Sequence, residues 1–220
     1  MTHKTVMPAS KTPSVPNGRT AFNRQRGGSA VELALATMFL YAPLLVGLVV
    51  IGIAAINRIQ LEQLTRDVGI MHARGLDFTG AQNKNLFLKL TQGSPFVAST
   101  GPNPKFNGTI VVSTVRKLGS ADCATGCANL GFPVVTYRTV LGDPALYTSW
   151  LATPASIDSS NGRVTNFKND SSARATAIEN LLPSMLSGEE AYVAEGYMTT
   201  PGFSFPDVNA TAQVRSYAIF

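Results

Sequence analysis

The stretch GGSAVELALATMFLYAPLLVGLVVIGIAAINRIQLEQLTRDVGIMHARG, residues 27–75, decides how the rest of the chain reads. Leu33 to Ile56 is a run of 24 residues without a formal charge. At ~1.5 Å per residue such a helix is about 36 Å long, enough to cross a hydrocarbon core of ~30 Å with some tilt. The apolar core of a secretory signal, about 7–15 residues, is much shorter. Pro43 and Gly47 fall inside the run, and membrane helices tolerate both. Past Ile56 the pattern changes. Leu61, Leu64, Val68 and Met71 recur at spacings of three, four and three, with Arg58, Glu62, Arg66 and Asp67 off that stripe. The spacing predicts one helix from near Gly28 to Arg74, apolar all round and then amphipathic, stopped at Gly75. The stripe is too short to favour a coiled-coil seam, so packing against the protein's own sheet is expected. One carboxylate, Glu32, interrupts the apolar face near its start.

The chain has 220 residues, 45% of them apolar and only 14% charged, with a net charge of +5. That charge is local. Residues 1–27 hold Lys4, Lys11, Arg19, Arg24 and Arg26 and no acid, leaving 13 basic residues against 13 acidic ones in the body. The body has no electrostatic footprint for a polyanion, so no nucleic-acid partner is expected. Residues 1–22 are rich in Pro, Ser, Thr and Lys without an apolar period, which predicts a disordered basic leader. Three domains follow: a leader over 1–27, a helix over 28–75 with its transmembrane segment at about 33–56, and an α+β head over 76–220.

Within the head, residues 82–91 predict a short helix. GTIVVSTVRKL (108–118) and PVVTYRTVL (133–141) have strand composition and predict a long hairpin. Cys123 and Cys127 lie between them. In an oxidising compartment they close a small disulfide loop; otherwise they are reduced thiols in a turn. Asp143 as N-cap and Pro144 at the first helical position predict a short helix after the hairpin. A polar loop over 158–172 precedes a helix over 172–186, ended or kinked near Pro183. Two strands, 189–200 and 209–220, close the pattern, the last on an apolar sheet edge. The fold class is α+β: a long N-terminal transmembrane and amphipathic helix packed on a small antiparallel sheet with short helices.

Catalytic signatures are thin. His3 lies in the leader, and His72 lies beside the apolar stripe, where a partly exposed structural role is expected. No G-x-S-x-G, H-E-x-x-H, P-loop or G-x-G-x-x-G sequence is present. DSSNG at 158–162 lacks the closing Glu of a calcium loop and reads as a solvated turn. Glu189, Glu190 and Glu195 resemble paired acids only superficially. Adjacent strand residues point to opposite faces, so a solvated sheet edge is the expected reading. The Asn-x-Ser/Thr triplets at Asn107, Asn169 and Asn209 matter only in a eukaryotic secretory pathway. No catalytic residue, metal site or cofactor is expected.

The most specific motif is the junction RQRGGSAVELAL at 24–35. A basic run, glycine, and an apolar helix whose fifth residue is Glu resembles the processing site of type IV prepilins. With Gly28 as the first mature residue Glu32 is the fifth, and cleavage falls between Gly27 and Gly28. More narrowly, GGSAVELALATMFLYAPLLVGLVVIG looks like the start of the TadE-like proteins, minor pseudopilins of tight-adherence (Flp) pili. EEAYVAEGYMTTPGF and QVRSYAIF are similar, more loosely, to that family's terminal strands. Leu33 stands where an aromatic often follows the Glu, and Pro43 comes late in the helix. The resemblance implies a prepilin peptidase acting at Gly27–Gly28 and insertion in the bacterial inner membrane. It also implies assembly with other pilins or pseudopilins through the N-terminal helix, Glu32 pairing with a neighbour's N-terminal amine. Flanking charge does not set the orientation: Arg19, Arg24 and Arg26 precede the apolar run and Arg58, Arg66 and Arg74 follow it. The leader, the processing motif and the cysteine pair favour a cytoplasmic N-terminus and a periplasmic head. Two other readings are an uncleaved single-pass anchored binding protein and a secreted hydrolase cut near GIAAIN.

Overall fold

The computed structural model describes residues 28–99, 101, 103–123, 126–200, 204–205, 208–209 and 212–220. Gly27 and the basic leader lie outside the described residues. The chain divides into two compact units, residues 1–48 and 49–220.

Helix α1 runs Gly28–Ala73, 46 residues, with Pro43 inside it. In the first unit its side chains are exposed almost without exception; Leu33 is 70% and Phe39 80% exposed. An 18-residue window of mean hydropathy 2.5 has none of its residues buried. The Thr37 hydroxyl is satisfied within the helix, Oγ1 donating to the Leu33 carbonyl at 2.5 Å.

In the second unit the helix becomes one-sided, as the stripe requires. Leu61, Leu64 and Val68 are buried and Met71 packs against them, while Arg58, Glu62, Arg66 and Asp67 stay exposed. A Schellman motif ends the helix. Gly75 sits at φ +87°, its N–H donating to the His72 carbonyl and that of Leu76 to Met71. Leu76 and Met71 pack on the same core, the apolar contact that accompanies this motif.

Helix α2 (Ala81–Thr91) follows. Two short strands, β1 (Val97–Ser99) and β2 (Lys105–Phe106), pair with each other. The main sheet has four strands in the order β4-β3-β5-β8, all antiparallel: β3 (Gly108–Lys117), β4 (Pro133–Gly142), β5 (Glu190–Thr200) and β8 (Ala212–Ile219). A second minor pair, β6 (Ser204–Phe205) and β7 (Val208–Asn209), lies between β5 and β8 in the chain.

Each face of the sheet has its own core. Ile110, Val112, Leu141, Ala194 and Met198 face α1 and α2, with Phe78, Phe87 and Phe96 filling the space between. The helix approaches closely where β5 offers Ala194 and Gly196 beneath it. A Cβ on Gly196 would overlap Thr65 Oγ1, and one on Gly69 would overlap the Phe220 ring and lie 3.0 Å from the Ala194 methyl. The opposite face buries Val115, Val135 and Val193 under Leu151, Val164, Ala173, Ala175 and Ile178 from the long β4–β5 connection. The architecture is α+β, as the patterning predicts.

Three local expectations fail. No helix follows Asp143. Its carboxylate accepts the Ala145 N–H at 2.9 Å in a tight turn, and the chain then continues without regular structure and places Ser149 and Trp150 against Glu195. The helix expected over 172–186 shrinks to a 3₁₀ turn, Ser171–Ala173, and α3, Thr176–Leu181. Arg174 is the cause: it bonds Asn129 Oδ1 and the Ala128 carbonyl, each at 2.7 Å, and lies 4.2 Å over the Phe132 ring. This draws residues 173–175 into bridging with β4 at Val134. Finally, β5 is an inner strand, so Glu195 is not on a solvated edge: it is 1% exposed.

Candidate functional site

Glu32, the fifth residue of α1, is exposed among apolar neighbours, as is Gly28 at the start of the helix. From Gly28 to Ile56 it is the one ionisable side chain besides the phenol of Tyr41. Cys123 and Cys127 are bonded, closing a loop with Cα atoms 5.5 Å apart. Cys123 sits with Leu118 and Val134 in a small apolar cluster at the end of the β3–β4 hairpin. The bond closes the loop on itself, and the packing of Cys123 on Leu118 and Val134 holds that loop against the sheet. Glu32 and the cysteine pair belong to different units.

Sequence reasoning missed two polar centres in the head. The first is built on Glu195. Its Oε2 accepts from Tyr147 Oη at 2.9 Å and from the Trp150 N–H at 3.1 Å, and its Oε1 from Ser149 Oγ at 2.5 Å. Arg138 lies behind, donating to Ser113 Oγ (3.1 Å), the Ala152 carbonyl (2.5 Å) and Ser149 Oγ (2.9 Å). Burial pushes the Tyr147 phenol up, helped by the charge of Glu195 and its hydrogen bond. Burial pulls Arg138 down, opposed by the charges of Glu195 and Tyr147. Both carboxylate oxygens are thereby paired, Oε2 with two donors and Oε1 with one. The cluster clamps residues 147–152 to the sheet.

The second centre is a cleft of about 660 Å³ past the end of α1, on the helix-facing side of the sheet. His72, Asp77, Arg116, Tyr137, Glu190 and Tyr192 line it. His72 is more buried than expected, 7% exposed. Its Nε2 pairs with Thr114 Oγ1 at 3.0 Å and its ring stacks on Tyr137, centroids 4.9 Å apart. Burial lowers its pKa, with the Leu76 backbone and the Asp77 charge pulling the other way. Tyr137 Oη donates to Asp77 Oδ1 at 3.0 Å. Asp77 is held below its ordinary value chiefly by the Thr79 N–H. Arg116 pairs with Asp122 (2.8 Å) and Glu190 (3.4 Å). Arg116, Asp122 and Glu190 thus pair with one another in the cleft, while Arg163, which also lines it, forms no ion pair among the described residues. Among the described residues no group of three or more His, Cys, Asp or Glu is placed to hold a metal. Asp158, the start of DSSNG, accepts from Ser160 and Asn161 in its own turn.

A third feature is a groove of about 450 Å³ on the other face, between α3 and the outer strand β8. Trp150 and Tyr217 meet edge-to-face across it at 6.0 Å, while Tyr147 stacks on Tyr197 at 5.5 Å. The Arg215 guanidinium lies 6.0 Å over both tyrosine rings. No family model matches this chain, and no curated protein or solved structure is significantly similar to it.

Proposed function

We propose that the chain is a TadE-like minor pseudopilin, a non-enzymatic pilus-assembly protein of a tight-adherence (Flp) type IV pilus system. In this reading it is made as a precursor, trimmed by a prepilin peptidase between Gly27 and Gly28, and anchored in the bacterial inner membrane with its head periplasmic. The observation that carries the reading is the change of character along α1. Its first part exposes an apolar surface long enough for a membrane, and its later part buries a stripe on an antiparallel sheet. That division suits a subunit held in a bilayer before assembly and bundled with other apolar helices after it.

Glu32 is the chemical test of this idea. A charge costs ~2.5–3.5 kcal/mol at the centre of a membrane helix and less near an end, so the precursor tolerates Glu32 at the interface. Cleavage removes the five leader charges and creates an ammonium on Gly28. In an apolar helix bundle that ammonium and the Glu32 of a neighbour favour each other strongly, and a misplaced pair leaves a buried charge uncompensated. The pair thereby sets register. A head of this size crowds a thin fibre if every subunit carries one, which favours a priming or tip role.

The experiment is mass spectrometry of the N-terminus of the membrane-extracted protein. A chain starting at Gly28, and at Met1 when the peptidase is deleted, supports the proposal. A start at Met1 throughout means an uncleaved anchor, and a start near Ile56 a secreted protein; either overturns it. Glu32→Ala is expected to be cleaved normally yet to assemble poorly. Normal piliation by that variant removes the register role alone.

A further inference from the structure

The two outer strands of the main sheet are treated differently. The rim of β4 is covered: Arg138 N–H donates to the Gly162 carbonyl, Val164 N–H to Thr136, and Ala175 N–H to Pro133. Among the described residues nothing pairs with the outer rim of β8. Which groups point outward follows from the ladder. Phe220 and Tyr192 exchange both of their backbone hydrogen bonds. In an antiparallel pair such bonded pairs alternate with non-bonded ones. Ala218, Ser216, Val214 and Ala212 are therefore bonded to β5, and the N–H and C=O groups of Gln213, Arg215, Tyr217 and Ile219 face away from it.

Beside that open rim lies the aromatic groove, with Tyr147, Trp150 and Leu181 as floor and wall. Tyr217 is 61% exposed, Leu181 43% and Trp150 38%. Arg215 forms no ion pair among the described residues. Arg58 and Glu62 of α1 reach the same rim with Arg215, and Glu62 is not within ion-pair distance of it.

We propose that the outer rim of β8 is a strand-addition site for an extended segment of another protein. The segment carries an aromatic or large aliphatic side chain for the Tyr147–Trp150–Leu181 groove and, two residues away on the same face, a carboxylate for Arg215. The rim supplies the main-chain hydrogen bonds and the groove supplies selectivity through alternate side chains. The aromatic walls lose few rotamers on binding, and the unpaired guanidinium favours an acidic partner over a basic one. A folded second copy fits poorly. Leu61 and Thr65 lie over Gly196 and Gly69 over Ala194, so α1 runs opposite to β5. A two-fold axis pairing β8 with β8 antiparallel would make the chains enter the two heads from opposite ends. This last step rests on anchorage in one membrane, and a separate arm of the test isolates it.

The test uses the full chain in detergent micelles. The probe is a fluorescent nine-residue peptide in which glutamate, phenylalanine and valine alternate with threonine, read by anisotropy. Binding is expected to be lost when the amides on one edge of the peptide are N-methylated, and kept when those on the other edge are. Arg215→Glu is expected to weaken binding at least ten-fold and to favour a peptide with lysine in place of glutamate. Tyr217→Pro removes an outward N–H without touching the β5 ladder and should abolish binding, its melting temperature showing that the head still folds. Absence of binding by the parent peptide overturns the proposal. So does binding indifferent to which edge is methylated, or to Arg215→Glu. Concentration-dependent dimerisation lost in Tyr217→Pro assigns the rim to a second copy and also overturns it.

Discussion

Replacing Gly196 with Ala tests the claim that α1 is held by its close approach to β5. A β-carbon there would overlap Thr65 Oγ1 and lie 3.2 Å from Leu61 Cδ1 and 3.3 Å from Thr65 Cβ. All of these atoms belong to buried residues on the packed face of the helix, so either Thr65 Oγ1 rotates away from the Leu61 carbonyl or the helix shifts. Overfilling a packed core costs ~1–3 kcal/mol. In a strand interior the same change otherwise gains ~0.5–1 kcal/mol by restricting the unfolded chain. The net expectation is a loss of about 1–2 kcal/mol, a fall in melting temperature of about 2–8 °C for a unit of this size. Thr65→Ala removes the obstructing oxygen. Alone it forfeits the Oγ1 hydrogen bond to the Leu61 carbonyl and a buried methyl, about 1 kcal/mol. In the double variant the new methyl occupies the vacated space, so the combination should be no less stable than Thr65→Ala alone. The assay is thermal unfolding of the full chain in detergent, followed by near-ultraviolet dichroism. If Gly196→Ala costs the same in both backgrounds, or stabilises the Thr65 protein, the contact is not what holds the helix.

Two further predictions concern the buried polar groups. Glu195→Gln preserves shape but turns one oxygen into a donor facing donors, and Trp150 N–H cannot rotate away. It should cost about 1–3 kcal/mol and raise hydrogen exchange at the Trp150 amide; unchanged protection there would show that the clamp is not formed. Burial lowers the pKa of His72, so the unfolded chain binds the extra proton first. Stability from this residue is full above the ordinary value of 6.5 and is lost as pH falls from there toward the lowered folded value. Asp77, held below its ordinary 3.8, loses its contribution only as pH falls below that value, outside the range from pH 7 to 5. Melting temperatures between pH 7 and 5 should fall less in His72→Gln than in the parent chain, and equal slopes would refute the assignment.

How much of this was legible in the sequence depends on whether the signal was local. The bounds of α1 follow from the Leu61–Met71 stripe and the glycine at 75, because a helix carries its own hydrogen bonds and its stop is a one-residue conformational event. The β3–β4 hairpin follows from runs of Val, Ile and Thr on either side of the cysteine loop. The two failed helices fail for the opposite reason. Asp143–Pro144 is a genuine helix-start signal, and an Asx turn satisfies it equally well once Glu195 recruits Ser149 and Trp150 downstream. Residues 172–175 have helical composition, but Arg174 bonds to Asn129 and Ala128 more than forty positions earlier in the chain.

Glu195 shows why the polar centres were harder to read than the fold. In EEAYVAEGYM the alternation places it on the same face as Ala191, Val193 and Tyr197, and that much is readable from the period of two. Whether that face meets water depends on strand order. Had β5 been outermost, a solvated carboxylate would have been the cheaper arrangement, and that was the sequence-based expectation. With β3 on one side and β8 on the other, the same residue lies beneath the long β4–β5 connection and must be supplied with donors. Tyr147, Ser149 and Trp150 supply them from a segment that then has no freedom to be helical. Burial of one carboxylate thus explains both failures at once, the missing helix after Asp143 and the missing solvated edge. It also holds Tyr147 and Trp150 as the fixed aromatic surface beside the open rim of β8.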